Sequence, residues 1–189
     1  MKLTIFALVI SAAFAVPVQA ADYVIDTEKA HAFIDFKIQH LGFSWMSGRF
    51  NEFEGTFTYD AESPEASKID VKIDVASIDT NFAERDKHLR EQFLNTDKYP
   101  EARFTSTSFE QQADGTLLMK GDFTLHGVTK PMIIPVEKVG EGEDPWGGYR
   151  VGFLGETKFT IADYGIDVSK LGPSSEEVYL TLSIEGIRQ

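Results

Sequence analysis

Residues 77 to 100, SIDTNFAERDKHLREQFLNTDKYP, gather Asp79, Arg85, Asp86, His88 and Arg90 in one short run. A carboxylate beside a histidine is the material of a general base, and a histidine among carboxylates can ligate a metal. Spacing decides which groups meet. On a helix, Asp86 and Arg90 stand four residues apart, as do Glu84 and His88, so each pair shares a face, whereas Asp86 and His88 point apart. A base built from Asp86 and His88 is therefore disfavoured. Two uses remain for these charges: a solvated face with ion pairs, or polar contacts to a bound group.

Other catalytic patterns do not occur in the sequence. The histidines are His31, His40, His88 and His126, none in an H-E-x-x-H spacing, and there is no cysteine. A metal site would have to be a composite gathered from distant strands. His31 and His40 flank a strand and read as structural, and His126, in TLHGVTK, sits at a turn. No G-x-S-x-G elbow surrounds a serine, Ser174 and Ser175 lie in a proline-containing loop, and no glycine loop is built to cradle phosphate. With 30 Asp and Glu in the chain, no pair can be singled out for glycoside chemistry.

The elements that carry these residues follow from periodicity. Asn81 with Glu84 three positions on resembles a capping box, Phe82, Leu89 and Phe93 share one helical face, and Pro100 bars continuation. The spacing predicts an amphipathic helix at about 81–94. Elsewhere the apolar period is two: Ile34, Phe36 and Ile38; Phe53, Phe57 and Tyr59; Ile69, Val71, Ile73 and Val75. Phe104 opens another such stretch, ADG at 113–115 marks a hairpin, and Leu117, Met119, Phe123 and Leu125 return from it. Further strands are expected at 132–136, 149–153 and 178–184. GEGEDPWGG, 140–148, reads as a long loop whose Trp146 packs back onto a rim.

About eight strands joined by short polar turns pair antiparallel with their neighbours. They fold into a sandwich or, preferably, close into a barrel, because closure removes exposed edges. The fold class expected is all-β: an extended eight-stranded antiparallel barrel with one helix lying over an end as a lid. Phe82, Leu89 and Phe93 then face inward.

Composition bounds the function. At 189 residues, 42% hydrophobic with 15 Phe, the chain suits one domain with wide apolar walls. Lys2, the apolar run Leu3 to Val16 and Val18-Gln19-Ala20 form a signal peptide, 1–20, leaving 21–189 as the mature domain. Periplasmic residence is expected, with release outside the cell as the weaker option. The net charge of −12, one unit more negative without Lys2, argues against nucleic acid and against anionic lipid surfaces, both of which call for dense Lys and Arg. No later stretch approaches about 18 continuous apolar residues, so stable membrane insertion is not expected.

Four segments carry a resemblance: HAFIDFKIQHLGFSWMSGRFNEFEGTF (31–57), SIDTNFAERDKHLREQFLNTDKYPEARFTSTS (77–108), GDFTLHGVTKP (121–131) and LGPSSEEVYLTLSIEG (171–186). Together they resemble the YceI family, including its UPF0312-type members: bacterial, periplasmic, lipocalin-like proteins that carry polyisoprenoid or similar long-chain lipids. The chain departs from the family pattern at Ala32, where many members have Ser, and in TIADYGI (160–166), where many have Arg.

The resemblance implies a barrel whose interior takes an isoprenoid tail, with the head group at the mouth. Carried over residue by residue, it implies walls at Phe36, Ile38, Phe53, Phe57, Ile73, Phe82, Leu89, Phe93, Phe104, Phe123 and Leu125. It implies polar contacts from Asn81, Arg85 and Asp86. His88 reads rather as part of the helix's own ion pairing. The implied ligand is a polyisoprenoid or quinone-like lipid. No other cofactor and no metal are called for, and a homodimer is compatible with such a carrier. About ten buried methylenes offer ~8 kcal/mol against an association cost of ~4–15 kcal/mol, so only a long chain in a deep slot binds usefully. Two rivals stand beside it: a lipid-acting hydrolase or isomerase using His88 with Glu84 or a composite metal site, and a non-enzymatic scaffold with a filled barrel.

Overall fold

The structure is a computed structural model and describes residues 20–169 and 171–189, so the expected signal peptide lies outside the described residues except for Ala20. Eleven strand segments among these residues make eight long staves. β1 (Ala21–Ile25) and β2 (Phe33–His40) lie end to end along β11 (Glu177–Arg188), with Ile25 opposite Gly186 and Phe33 opposite Ser183. β3 (Ser44–Phe50) and β4 (Phe53–Tyr59) run back along them, and β5 (Lys68–Asp74) with β6 (Ile78–Asp79) forms the next stave. β7 (Glu101–Gln111), β8 (Leu117–Leu125), β9 (Val128–Glu143) and β10 (Tyr149–Thr160) then meander to β11.

Closure depends on β1. It pairs antiparallel with both β4 and β11, completing the ring β1-β4-β5-β7-β8-β9-β10-β11. β2, β3 and β6 lengthen the barrel beyond that ring on one side. Every pairing is antiparallel, as short turns require. Three segments that periodicity did not disclose, β1, β3 and β6, are the ones that extend or close the wall. β3 hides its alternation because Gly48 occupies an inward position between Met46 and Phe50.

Three breaks interrupt the long staves, the shortest being Asn51 and Glu52 between β3 and β4. At 75–77 a tight helical turn is held by Asp74, whose carboxylate accepts from Ala76 N–H at 2.8 Å. At 26–32 the chain bulges away and is pinned by Arg150, which donates to Asp26 at 2.6 Å and to Glu185 at 2.5 Å, while His31 Nδ1 lies 2.9 Å from Asp26. His31 is thus a satisfied structural histidine. His126 also sits at a turn as expected, at φ 52°, with its ring against Tyr99.

Two expectations are corrected. The loop at 140–148 is short, because Gly140 and Gly142 stay in the ladder opposite Gly152 and Arg150, and only 144–148 turn. Glycine weakens a strand without preventing the backbone from pairing. Trp146 does not pack on a rim: it is 79% exposed, with the Arg150 guanidinium 5.8 Å from its ring.

Candidate functional site

The inward side chains do not fill the barrel. They enclose an apolar cavity of about 630 Å³ that runs from beneath the helix to the opposite end near Tyr59 and Ser67. Phe-rich walls coexist with open space because rings lie against glycines one or two strands away. A Cβ built on Gly48, Gly121 or Gly186 would stand 2.5, 2.4 or 2.3 Å from the ring of Phe36, Phe104 or Phe57. Any larger residue would push that ring into the lumen.

The helix crosses one end of this cavity. α1 (Ala83–His88) is followed by a wider turn over Leu89–Phe93, closed by Leu94 N–H to Leu89 O at 2.8 Å. Phe82, Leu89 and Phe93 line the cavity from it, as the amphipathic spacing predicted. Phe82, Glu84 and His88 also reach solvent, which marks this end as a mouth.

The expected capping box does not form. Phe82 occupies the cap position without a side-chain hydrogen bond, and Asn81, at φ 62°, donates its N–H to Asp79 Oδ1 at 2.8 Å. The helix start is organised by Asp86 instead. Its carboxylate is buried, and Oδ1 accepts from the Thr80 N–H at 2.9 Å and from the Thr80 hydroxyl. Arg85 completes the knot: Nε donates to Thr80 Oγ1 and Nη2 to Thr80 O, both at 2.7 Å, while Nη1 lies 3.5 Å from Met46 Sδ. Arg85 and Asp86 are therefore tied through Thr80, which fixes the guanidinium at the mouth.

The expected ion pairs on this helix are also corrected. Asp86 faces inward to Thr80, so Arg90 donates to Ile78 O at 3.3 Å, and no hydrogen bond or ion pair joins Glu84 to His88 among the described residues. The i,i+4 pair that forms is Lys87 with Glu91, at 3.9 Å. An Asp, an Arg and a Thr are taken out of the solvated face and placed at the cavity mouth.

Of the wall positions implied by sequence, Phe36, Ile38, Phe57, Ile73, Phe82, Leu89, Phe93, Phe104, Phe123 and Leu125 line the cavity, together with Arg85. Phe53, Asn81 and Asp86 do not. Phe53 packs against the core from outside the lining, Asn81 is exposed at the turn, and Asp86 stands behind Arg85. Thr80, Met46, Met119 and Met132 belong to the lining and were not singled out. Thr80 had one signal, a hydroxyl six residues before Asp86. The methionines had none beyond hydrophobicity.

A composite metal site at the mouth is not assembled. Among the described residues, the group that could gather around a cation is Asp26, His31 and Glu185, at the strand break outside the lining. Its centre is taken by the Arg150 guanidinium, an organic cation hydrogen-bonded to both carboxylates. Burial would raise the Asp26 pKa, but hydrogen bonds from Arg150 and His31 reverse that and hold it below the usual carboxylate range. Arg150 is stabilised in its charged form by Asp26 and Asp144.

At the far end, Ser67 lines the cavity with a buried hydroxyl that has no hydrogen-bond partner. A chain spanning the full cavity therefore meets apolar wall throughout and isolated polar atoms only at its ends.

Comparison with known proteins agrees with this architecture. The YceI-like domain matches residues 23–186. A UPF0312 protein of Shewanella sp. strain MR-4 is 53% identical over 192 residues, covering all of both chains, as is one from Shewanella oneidensis. Among solved structures, the Campylobacter jejuni YceI protein has a TM-score of 0.71 at 28% identity, covering 81% of this chain and 91% of that one. Burkholderia cenocepacia BcnA has a TM-score of 0.75 at 17% identity, covering 85% and 98%. A polyisoprenoid binding domain from Saccharophagus degradans, implicated in plant cell wall breakdown, has a TM-score of 0.65 at 16% identity, covering 90% and 100%.

Proposed function

From the premise that this chain belongs to the YceI family, we propose that it is a non-catalytic carrier or sequestering protein for one long-chain isoprenoid lipid, polyisoprenoid or quinone-like, in the periplasm. The observation that carries this reading is the open apolar cavity of about 630 Å³ running along the barrel from a mouth with fixed polar groups. A solid core would have been more stable, because burying apolar atoms against one another gains dispersion and hydration energy that an open lumen forgoes.

The mechanism is desolvation. The tail leaves water for a wall of Phe, Ile, Leu and Met, at ~0.8 kcal/mol per methylene. The head group stays at the mouth, where Arg85, held by Thr80, presents a cation to a phosphate or a polarised oxygen. The acidic exterior keeps the loaded protein dispersed. A likeness in fold to a polyisoprenoid binding domain supports the ligand class. The hydrolase reading lacks an assembled base, since no hydrogen bond or ion pair joins Glu84 to His88 among the described residues. The scaffold reading requires a filled barrel.

The test is native mass spectrometry of the mature protein purified from its own periplasm, followed by extraction and identification of released lipid. One long-chain lipid per chain is expected. A clean apo mass that added isoprenoid does not shift would sink the proposal.

A further inference from the structure

The β2–β3 hairpin tip has an unusual residue choice. Its turn is closed by Phe43 N–H to His40 O at 2.9 Å, with Leu41 at φ 52° and Gly42 at φ 80°. Two successive positive φ values suit a tight hairpin, and Asn, Asp or Gly supply them with least strain. Leucine at this position strains its backbone and is only half covered in return, by the chain at Gly172. Leu41 is 48% exposed, Phe43 86% and Trp45 50%. Phe82, at the head of α1, is 55% exposed. The Met46–Arg85 contact brings the hairpin and the Phe82 turn together at the cavity mouth. Single exposed apolar residues are ordinary, but three large ones within five positions of one hairpin are of the kind that marks an interaction surface.

The hairpin itself lacks acidic residues, although the elements beside it at this end carry Glu84 on α1 and Glu176 and Glu177 next to Ser174, which faces Gly42. From Phe36 to Asn51 the sequence contains no Asp or Glu, within a chain of net charge −12. Lys37 makes no ion pair among the described residues. Its ammonium lies 5.3 Å from the Trp45 ring and 5.7 Å from that of Tyr179. The β9–β10 turn, at the other end of the barrel, carries Glu141, Glu143 and Asp144.

We propose that the β2–β3 hairpin docks the protein onto a phospholipid bilayer, with Leu41, Phe43 and Trp45 entering the headgroup layer and Lys37 meeting lipid phosphate. A bilayer surface offers both things this tip presents: an apolar boundary for aromatic and aliphatic side chains, and anionic phosphate for an adjacent lysine. Docking there points the mouth beside Phe82 at the membrane and turns the β9–β10 turn, with Glu141, Glu143 and Asp144, toward water. Among the described residues no helix is long and apolar enough to cross a membrane, and the attachment proposed is interfacial. The role extends the lipid-carrier reading, yet it is measured on the protein alone.

Two tryptophans make orientation readable, because Trp45 is on the hairpin and Trp146 is on the β9–β10 turn. The mature protein is mixed with phosphatidylcholine vesicles containing a minor fraction of phosphatidylglycerol and brominated acyl chains. Trp146→Phe, which reports Trp45, should show a blue shift and quenching, and Trp45→Phe, which reports Trp146, should show neither. Phe43→Ser should lower vesicle partitioning about ten- to hundredfold, the equivalent of leaving one Phe unburied. Leu41→Asn should weaken partitioning while holding or raising the thermal midpoint, since it relieves the turn. No partitioning, equal quenching of both tryptophans, or indifference to Phe43→Ser would overturn the proposal. So would Phe43-dependent self-association without vesicles, which would make the tip a contact between copies of the chain. A protein that docks on vesicles yet binds no added isoprenoid would sink the carrier reading while leaving this one standing.

Discussion

Replacing Ala102 by Leu asks directly whether the barrel is hollow. Ala102 is buried on β7, opposite Ile73 of β5, and its side chain lines the cavity. In a packed core the three extra carbons would force neighbours aside and cost about 1–3 kcal/mol. In an open lumen of about 630 Å³ they enter space that apolar atoms already surround. At ~0.8 kcal/mol per carbon the gain is about 2 kcal/mol, which for a domain of this size raises the midpoint by roughly 4–8 °C. The same atoms occupy volume the lipid tail needs, so binding of an added isoprenoid should weaken. Urea and thermal denaturation of delipidated protein, followed by isoprenoid titration, read both effects. The signature is the opposition: stability up, affinity down. A loss of more than about 1 kcal/mol in the delipidated protein would refute the hollow-barrel reasoning.

Four further outcomes follow from named contacts. Arg150→Ala strips the buried Asp26 of its main partner and should cost about 3 kcal/mol in urea denaturation. Because the folded Asp26 pKa lies below its ordinary value of 3.8, the unfolded chain binds the extra proton first on acidification. Its stabilising contribution is therefore complete above the unfolded pKa and lost as pH falls through the folded one. Arg150→Ala should flatten this acid limb of the stability curve as pH falls below the ordinary carboxylate value of 3.8. Asp86→Ala removes the acceptor of the Thr80 N–H and should cost about 2 kcal/mol, with hydrogen exchange rising first over 80–90. Gly186→Ala sets a methyl against the Phe57 ring and should both destabilise, by about 1–3 kcal/mol, and narrow the cavity, seen as weaker isoprenoid binding. Ser67→Ala deletes a buried hydroxyl that has no partner and should raise stability by about 1 kcal/mol in the delipidated protein; a loss of that size would show the hydroxyl to be satisfied.

Much of the architecture was legible because a barrel wall writes itself in period two. Ile34, Phe36 and Ile38, or Phe53, Phe57 and Tyr59, declare one wet and one dry face without any knowledge of their neighbours. The helix was legible for the same local reason, in Phe82, Leu89 and Phe93. Its polar residues were not. Spacing paired Asp86 with Arg90 and Glu84 with His88, whereas the folded chain turns Asp86 onto Thr80 and sends Arg90 to Ile78 O, because a buried N–H at the head of the helix required an acceptor.

The sequence by itself determined an antiparallel all-β wall with one amphipathic helix, a resemblance spread over four segments, and a charge balance unsuited to nucleic acid. These depend on local alternation and on composition, which need no contact between distant residues. Tertiary structure alone decided that the wall closes, through β1 pairing with both β4 and β11. It also decided that the interior stays open, because glycines receive rings from strands one or two places away. Whether an inward Phe fills a lumen or lies along its wall depends on the neighbouring strand, and period two carries no information about that.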